Sequence, residues 1–202
     1  MKKCMLFLIP VVLLVSAHEP AKDTYILTSD YAVTINGTSS LRNWQEKVGM
    51  VTGDMTAVVN DDGSVQLNAI RISMNVLSIT SDMGRVMEKK TYEALKASAY
   101  PEILFTFNTP MRLTQVRDCQ TTIPVRGVLA LAGISKPMIM LVKTFEISQG
   151  ALQFEGSQTI KMTDYGVRPP TALFGTMRSG PDITIHFKTN FLNQSITTTI
   201  KN

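Results

Sequence analysis

Cysteine and histidine are scarce, with two of each in 202 residues. Cys4 falls in a leader-like first stretch, which leaves Cys119 alone, so the processed chain can form no internal disulfide. That is unusual for a small secreted animal domain and acceptable for a bacterial periplasmic one. Cys119, in the polar stretch "RDCQTT", reads as a spectator before a reactive thiol. His186 lies between Ile185 and Phe187 on a period-two pattern, so it points away from both. No His/Cys cluster has zinc-ligand spacing. No Gly-x-Ser-x-Gly elbow or glycine-rich phosphate loop is present. Asp61 and Asp62 are adjacent, but they occupy a turn that favours Asp for conformational reasons. The sequence therefore offers no catalytic residues and no metal site, and an enzyme is not expected.

A strong charge balance is missing too. The formal net charge is +4. Losing Lys2 and Lys3 with the leader leaves 18 bases against 16 acids. No cluster of lysine and arginine marks a nucleic-acid face. With 44% hydrophobic and 18% charged residues, the composition also argues against disorder. Nor is there an apolar run of the roughly 20 residues that a membrane helix needs. The run from Met5 to Val15 is shorter. It follows Lys2 and Lys3 and precedes Val15-Ser16-Ala17, which is the pattern of an export signal cleaved after Ala17. Residues 1–17 are read as signal peptide, with no stable membrane insertion after its removal and a periplasmic destination.

What is present is alternation. Ile70, Ile72, Met74 and Val76 alternate with Arg71, Ser73 and Asn75. Ile103, Phe105 and Phe107 share one face, as do Ile183, Ile185 and Phe187. One face of each run is buried and the other wet. Between Met138 and Ile147 both faces are apolar, since Met138, Met140 and Val142 oppose Ile139, Leu141 and Phe145. That strand is expected to be covered on both sides. Turn signals at Asn60 to Gly63, Gly133 to Pro137 and Ser148 to Gly150 separate the runs. Such a pattern predicts an antiparallel sandwich or barrel. One segment follows the helical period instead. Met83, Val86, Met87, Ala94 and Leu95 predict an amphipathic helix over roughly 82–97, ended before Pro101. Residues 22–190 are read as one β-domain, and 191–202 as a tail or last strand.

A barrel of about eight strands either fills itself or leaves room for one small ligand. Met74, Phe105, Phe107, Met140 and Phe154 are the inward candidates, either as core packing or as the wall of such a space. The segment "TDYGVRPPTALFG" (163–175) holds Pro169 and Pro170, which donate no backbone hydrogen bond and bar a helix interior or central strand. Yet it carries Tyr165, Leu173 and Phe174. It is expected to lie beside the barrel mouth, as channel wall or lid, or else to plug the barrel end as ordinary core. Trp44, the sole tryptophan, is a candidate for ligand lining or for a structural anchor.

Several stretches together resemble the YceI-like family of exported lipid-binding proteins. They are "INGTSSLRNW" (35–44), the strand around Gly53 to Met55, "YPEILFTF" (100–107), "VRGVLALAGISKPMIMLV" (125–142), "MTDYGVRPPTALFG" (162–175) and "DITIHF" (182–187). Their order and spacing carry the resemblance, which runs from about Tyr25 to Phe187. It implies a lipocalin-like antiparallel barrel with one interrupting α-helix and a hydrophobic channel. That channel would hold a polyisoprenoid, a quinone-like or a fatty-acid-like lipid, with no further cofactor required. The partner would be an amphiphilic lipid. Two copies could pair through an exposed edge strand. The alternative is a structural or stress-response barrel, packed solid and acting through protein contacts. Many relatives carry His-Asp just before the tryptophan. Here Arg42 and Asn43 stand there, so no role of that histidine transfers. Arg42 is instead a candidate partner for an anionic headgroup.

Overall fold

Alternation decides most of the architecture. In the computed structural model, which describes residues 22–113, 121–148, 150–172 and 176–195, the apolar side of each run turns inward and the strands close around it. The strands are β1 (Asp23–Ser39), β2 (Trp44–Val48), β3 (Val51–Val59), β4 (Val65–Asn75), β5 (Ile79–Ser81), β6 (Glu102–Phe107), β7 (Met111–Leu113), β8 (Thr121–Leu131), β9 (Ile134–Ser148), β10 (Ala151–Lys161), β11 (Thr171–Ala172) and β12 (Met177–Asn193). Helix α1 (Arg85–Ala94) lies between β5 and β6. Among the described residues no helix is long and apolar enough to cross a membrane. The leader (1–17), Cys119, Leu173, Phe174 and the tail beyond Ser195 lie outside the described residues.

Strands β1, β3, β4, β6, β8, β9, β10 and β12 form a closed antiparallel ring. β12 returns to β1 with Val33 opposite Phe187 and Ile35 opposite Ile185. Closure satisfies the backbone groups that an open sheet would leave at its two edges. β2 and β5 extend the sheet beside the second half of β1. β12 runs as far as Asn193, so the first residues of the expected tail, including buried Phe191, belong to the barrel.

Among the described residues, one end of the ring is densely packed. The register places Tyr25 beside Met55, Met55 beside Ile70, and Ile70 beside Phe107. Tyr25, Met55, Phe107, Leu67 and Leu113 are all buried there. Interdigitated side chains of this size leave little free volume. The Asn60 to Gly63 hairpin joins β3 to β4 at this end, with Asn60 N donating to Ser64 O at 2.8 Å.

Four expectations need correction. The helix starts at Arg85, not near residue 82, and Gly84 is its N-cap without a side-chain cap. Asp82 cannot cap it, because its carboxylate accepts from Gln45 N at 3.1 Å. Val86 is 71% exposed, so the buried helix face is set by Met87 instead. The turn expected over 133–137 is only Ala132 and Gly133, at φ 50° and 85°. Left-handed backbone at both central positions suits the twist of a two-residue hairpin. Ser135, Lys136 and Pro137 therefore join β9. Last, β9 is covered on one side only: Ile139 and Leu141 are exposed. Helix α1, which could have shielded an outer face, packs against β5 instead.

Candidate functional site

Among the described residues, two apolar cavities lie inside the barrel, a deeper and an outer one. The deeper is about 90 Å³, and Phe105, Met140, Phe154, Phe187 and Phe191 are among its walls. The outer is about 70 Å³, with Trp44, Ile103, Leu131, Ile160 and Tyr165 among its walls. Val33, Met74 and Ile185 border both, so these three side chains partition one lumen into two lobes. An apolar cavity of roughly 150 Å³ stays dry and accepts a small hydrocarbon. The two lobes together reach that scale.

Aromatic residues would be expected to fill such a space. They do not, because glycines let the rings lie against the wall. Trp44 pairs with Gly37 across β2 and β1, and its indole covers the place where a Gly37 side chain would stand. The Phe105 ring likewise covers Gly127. A Cβ at Gly156 would come 2.8 Å from Phe187 Cζ. Rings flattened this way line the lumen without occupying it. Trp44 Nε1 donates to Thr38 O at 3.1 Å, which fixes the indole and satisfies its polar edge. Phe154 and Phe191 meet edge to face, centroids 5.9 Å apart.

The outer lobe is roofed by two elements. Thr91, Ala94 and Leu95 of α1 and its end line it from one side. The tight turn Met162–Tyr165, with Gly166 left-handed at φ 65°, brings Met162, Tyr165, Val167 and Pro170 to it from another. Tyr92 Oη donates to Ile79 O at 2.7 Å and holds the helix against β5. The proline-rich segment thus both buries Tyr165 and Val167 as core and forms cavity wall.

Of the residues singled out from sequence, Trp44, Met74, Phe105, Met140, Phe154 and Tyr165 are brought together around the two lobes. Phe107 is not; it belongs to the packed end beside Ile70. Arg42 is exposed, and its guanidinium is turned to Met83 Sδ at 2.8 Å from Nε. It stands apart from the lining of both lobes. His186 faces outward. Among the described residues no group of three or more His, Cys, Asp or Glu could hold a metal ion.

The sequence reading missed Glu46. It lies on the inward face of β2 between Trp44 and Val48 and is 2% exposed. Its carboxylate accepts from Thr91 Oγ1 at 2.6 Å, and both residues line the outer lobe. Burial pushes its pKa up to about 7; Thr91 opposes the rise, while Asp82 and Glu88 add to it. The period-two pattern Trp44-Glu46-Val48 was the available signal. It was hidden because "QEK" reads as a wet face.

A folded-state pKa above the unfolded one makes the folded state the better proton binder. Stability from this group is then full below about pH 4.5 and lost as pH rises through about 7. Glu46→Gln, which removes the charge and keeps the shape, is expected to raise the unfolding free energy at pH 8 by about 3 kcal/mol and to leave it nearly unchanged at pH 4. Urea unfolding of both proteins at the two pH values checks this.

Residues 27–191 match the family model of the YceI-like domain. No curated protein matches the sequence. Among solved structures, a polyisoprenoid binding domain from Saccharophagus degradans superposes with a TM-score of 0.62 at 10% identity, over 86% of this chain and 99% of that one. Burkholderia cenocepacia BcnA gives 0.58 at 14%, over 79% and 95%. The Campylobacter jejuni YCEI protein gives 0.54 at 16%, over 72% and 82%. At these identities the likeness establishes the fold.

Proposed function

The chain belongs to the YceI-like family, and from that premise we propose that it is a binding or carrier protein which holds the hydrocarbon tail of one isoprenoid or fatty-acid-like amphiphile inside the barrel. The observation that carries the reading is the divided apolar lumen, closed at the Tyr25 and Phe107 end and bordered on both sides by Met74. A tail offers no group to hydrogen-bond, so its affinity comes from buried area. At about 0.8 kcal/mol per methylene, ten buried methylenes supply about 8 kcal/mol before ordering costs. Methionine suits a wall that must adapt, because its unbranched side chain changes rotamer readily. The solved domain from Saccharophagus degradans, described as polyisoprenoid-binding, supports an isoprenoid tail. The role is non-catalytic, and the protein works in the periplasm after a leader is cleaved behind Ala17. Lys2, Lys3 and the apolar run that follows them support that destination.

The second reading, a barrel acting through protein contacts, draws on the outward strip of Val128, Ile139 and Leu141, all exposed. Native mass spectrometry of protein purified from its own compartment distinguishes the two. The carrier reading expects a stoichiometric adduct that organic extraction identifies as a long-chain amphiphile. Protein that is uniformly ligand-free, and that takes up no added prenyl or acyl amphiphile, overturns it.

A further inference from the structure

The tail lobe has almost no polar wall, so what could orient a bound amphiphile must lie elsewhere. Glu46 and Thr91 meet in the wall of the outer lobe, where α1 and the Pro170 segment roof it. Among the described residues, Thr91 is the carboxylate's hydrogen-bond partner, and it occupies only one of the two oxygens. No lysine, arginine or histidine is among the residues lining either lobe. The groups that act on Glu46 electrostatically are the carboxylates of Asp82 and Glu88, and Tyr92 on α1 feels its charge in turn. The roofing turn contributes Tyr165.

Building on the carrier reading above, we propose that Glu46 and Thr91 form a headgroup site that takes an uncharged, hydrogen-bond-donating end, a hydroxyl, and discriminates against carboxylate and phosphate ends. A hydroxyl donates to the free carboxylate oxygen, and a bond to a charged acceptor is roughly twice as strong as a neutral one. An anionic head would place a second negative charge beside a buried one, with no cation to offset it. The amphiphile then lies tail-first, its chain past Met74 in the deep lobe and its hydroxyl under α1. Burial keeps the Glu46 carboxyl protonated below about pH 7, so rejection of anions sets in as the pH rises above that value.

The test uses 1-dodecanol and dodecanoate with the full processed chain at pH 8, read by the fluorescence of Trp44. The alcohol is the more hydrophobic probe in any apolar site, so the readout is the change in the affinity ratio, not the ratio itself. In the Glu46→Gln protein the alcohol-over-carboxylate ratio is expected to fall about tenfold, since a like-charge repulsion at contact distance is gone. Thr91→Val removes a bond that favours the charged carboxylate, so at pH 8 the ratio is expected to fall in the same direction but by less than in Glu46→Gln. An unchanged ratio in Glu46→Gln, with both probes still bound, overturns the headgroup site and leaves the tail cavity standing. If neither probe binds the unsubstituted protein, the carrier reading and this proposal fall together. Should Glu46→Gln fail to fold, the unsubstituted protein still decides the matter with dodecanesulfonate, whose head does not titrate in this range, in place of dodecanoate: the alcohol-over-sulfonate ratio must rise about tenfold between pH 6 and pH 8, and a flat ratio overturns the proposal.

Discussion

Met74→Trp is expected to cut affinity for a long-chain amphiphile by at least about 100-fold, while probes short enough for one lobe still bind. Met74 borders both lobes, together with Val33 and Ile185. The carrier reading requires Met74 to move aside so that one chain reaches both spaces, and its three flexible torsions permit that. An indole at this position is larger and has only two side-chain torsions, so it keeps them apart. A chain confined to one lobe loses the burial of four or five methylenes, about 3–4 kcal/mol, which is the stated factor. The empty volume on either side receives the extra atoms, so the overpacking penalty stays at the low end of about 1–3 kcal/mol. Titration with a homologous series of alcohols checks this. The unsubstituted protein gains affinity with each added carbon, whereas the variant reaches a plateau after the length that one lobe accepts. A series with the same slope in both proteins refutes the partition.

Gly37→Val is expected to destabilise the fold by about 3–5 kcal/mol, as much as deleting a buried tryptophan. In an ordinary strand the change would be favourable, since valine has the higher β propensity and glycine costs entropy. Here the added side chain meets the Trp44 indole, with which Gly37 is paired. Either the indole leaves the outer lobe or β1 parts from β2. A domain stable by about 5–15 kcal/mol survives this narrowly or not at all. The diagnostic measurement is a double-mutant cycle. In a Trp44→Ala background the same substitution should cost less than about 1 kcal/mol, because the clashing atoms are gone. An undiminished penalty there would mean that Gly37 is needed for its backbone and not for the ring above it.

The sequence made much of this barrel legible. Ile183, Ile185 and Phe187 lie inward, and Thr184 and His186 outward, because one buried and one wet face leave a period-two trace. Met74, Phe105, Met140 and Phe154 likewise fall on inward faces and line the lumen, since inward position on a strand follows from parity alone. Parity does not say how far along the axis a residue lies. Phe105 and Phe107 share a face, yet two residues of rise separate a cavity wall from the packed end at Ile70. The helix start was misplaced because Ser81 and Asp82 look like caps, whereas Ser81 pairs with Glu46 in β5 and Asp82 is taken by Gln45 N. The turn at Ala132 and Gly133 was shifted because alanine at positive φ carries no signal; only the glycine does. Glu46 escaped because burial of a carboxylate depends on α1 folding across it, a contact between residues 46 and 91 that no local pattern encodes.

Tyr25 lies opposite Asn193, and Asp23 opposite Ala57. The first and last described strands therefore emerge together at the sealed base, a barrel length away from the lid of α1 and the proline segment. An attachment that continues from Asp23 or from Asn193 thus begins at the base, at the opposite end from the roof of the outer lobe.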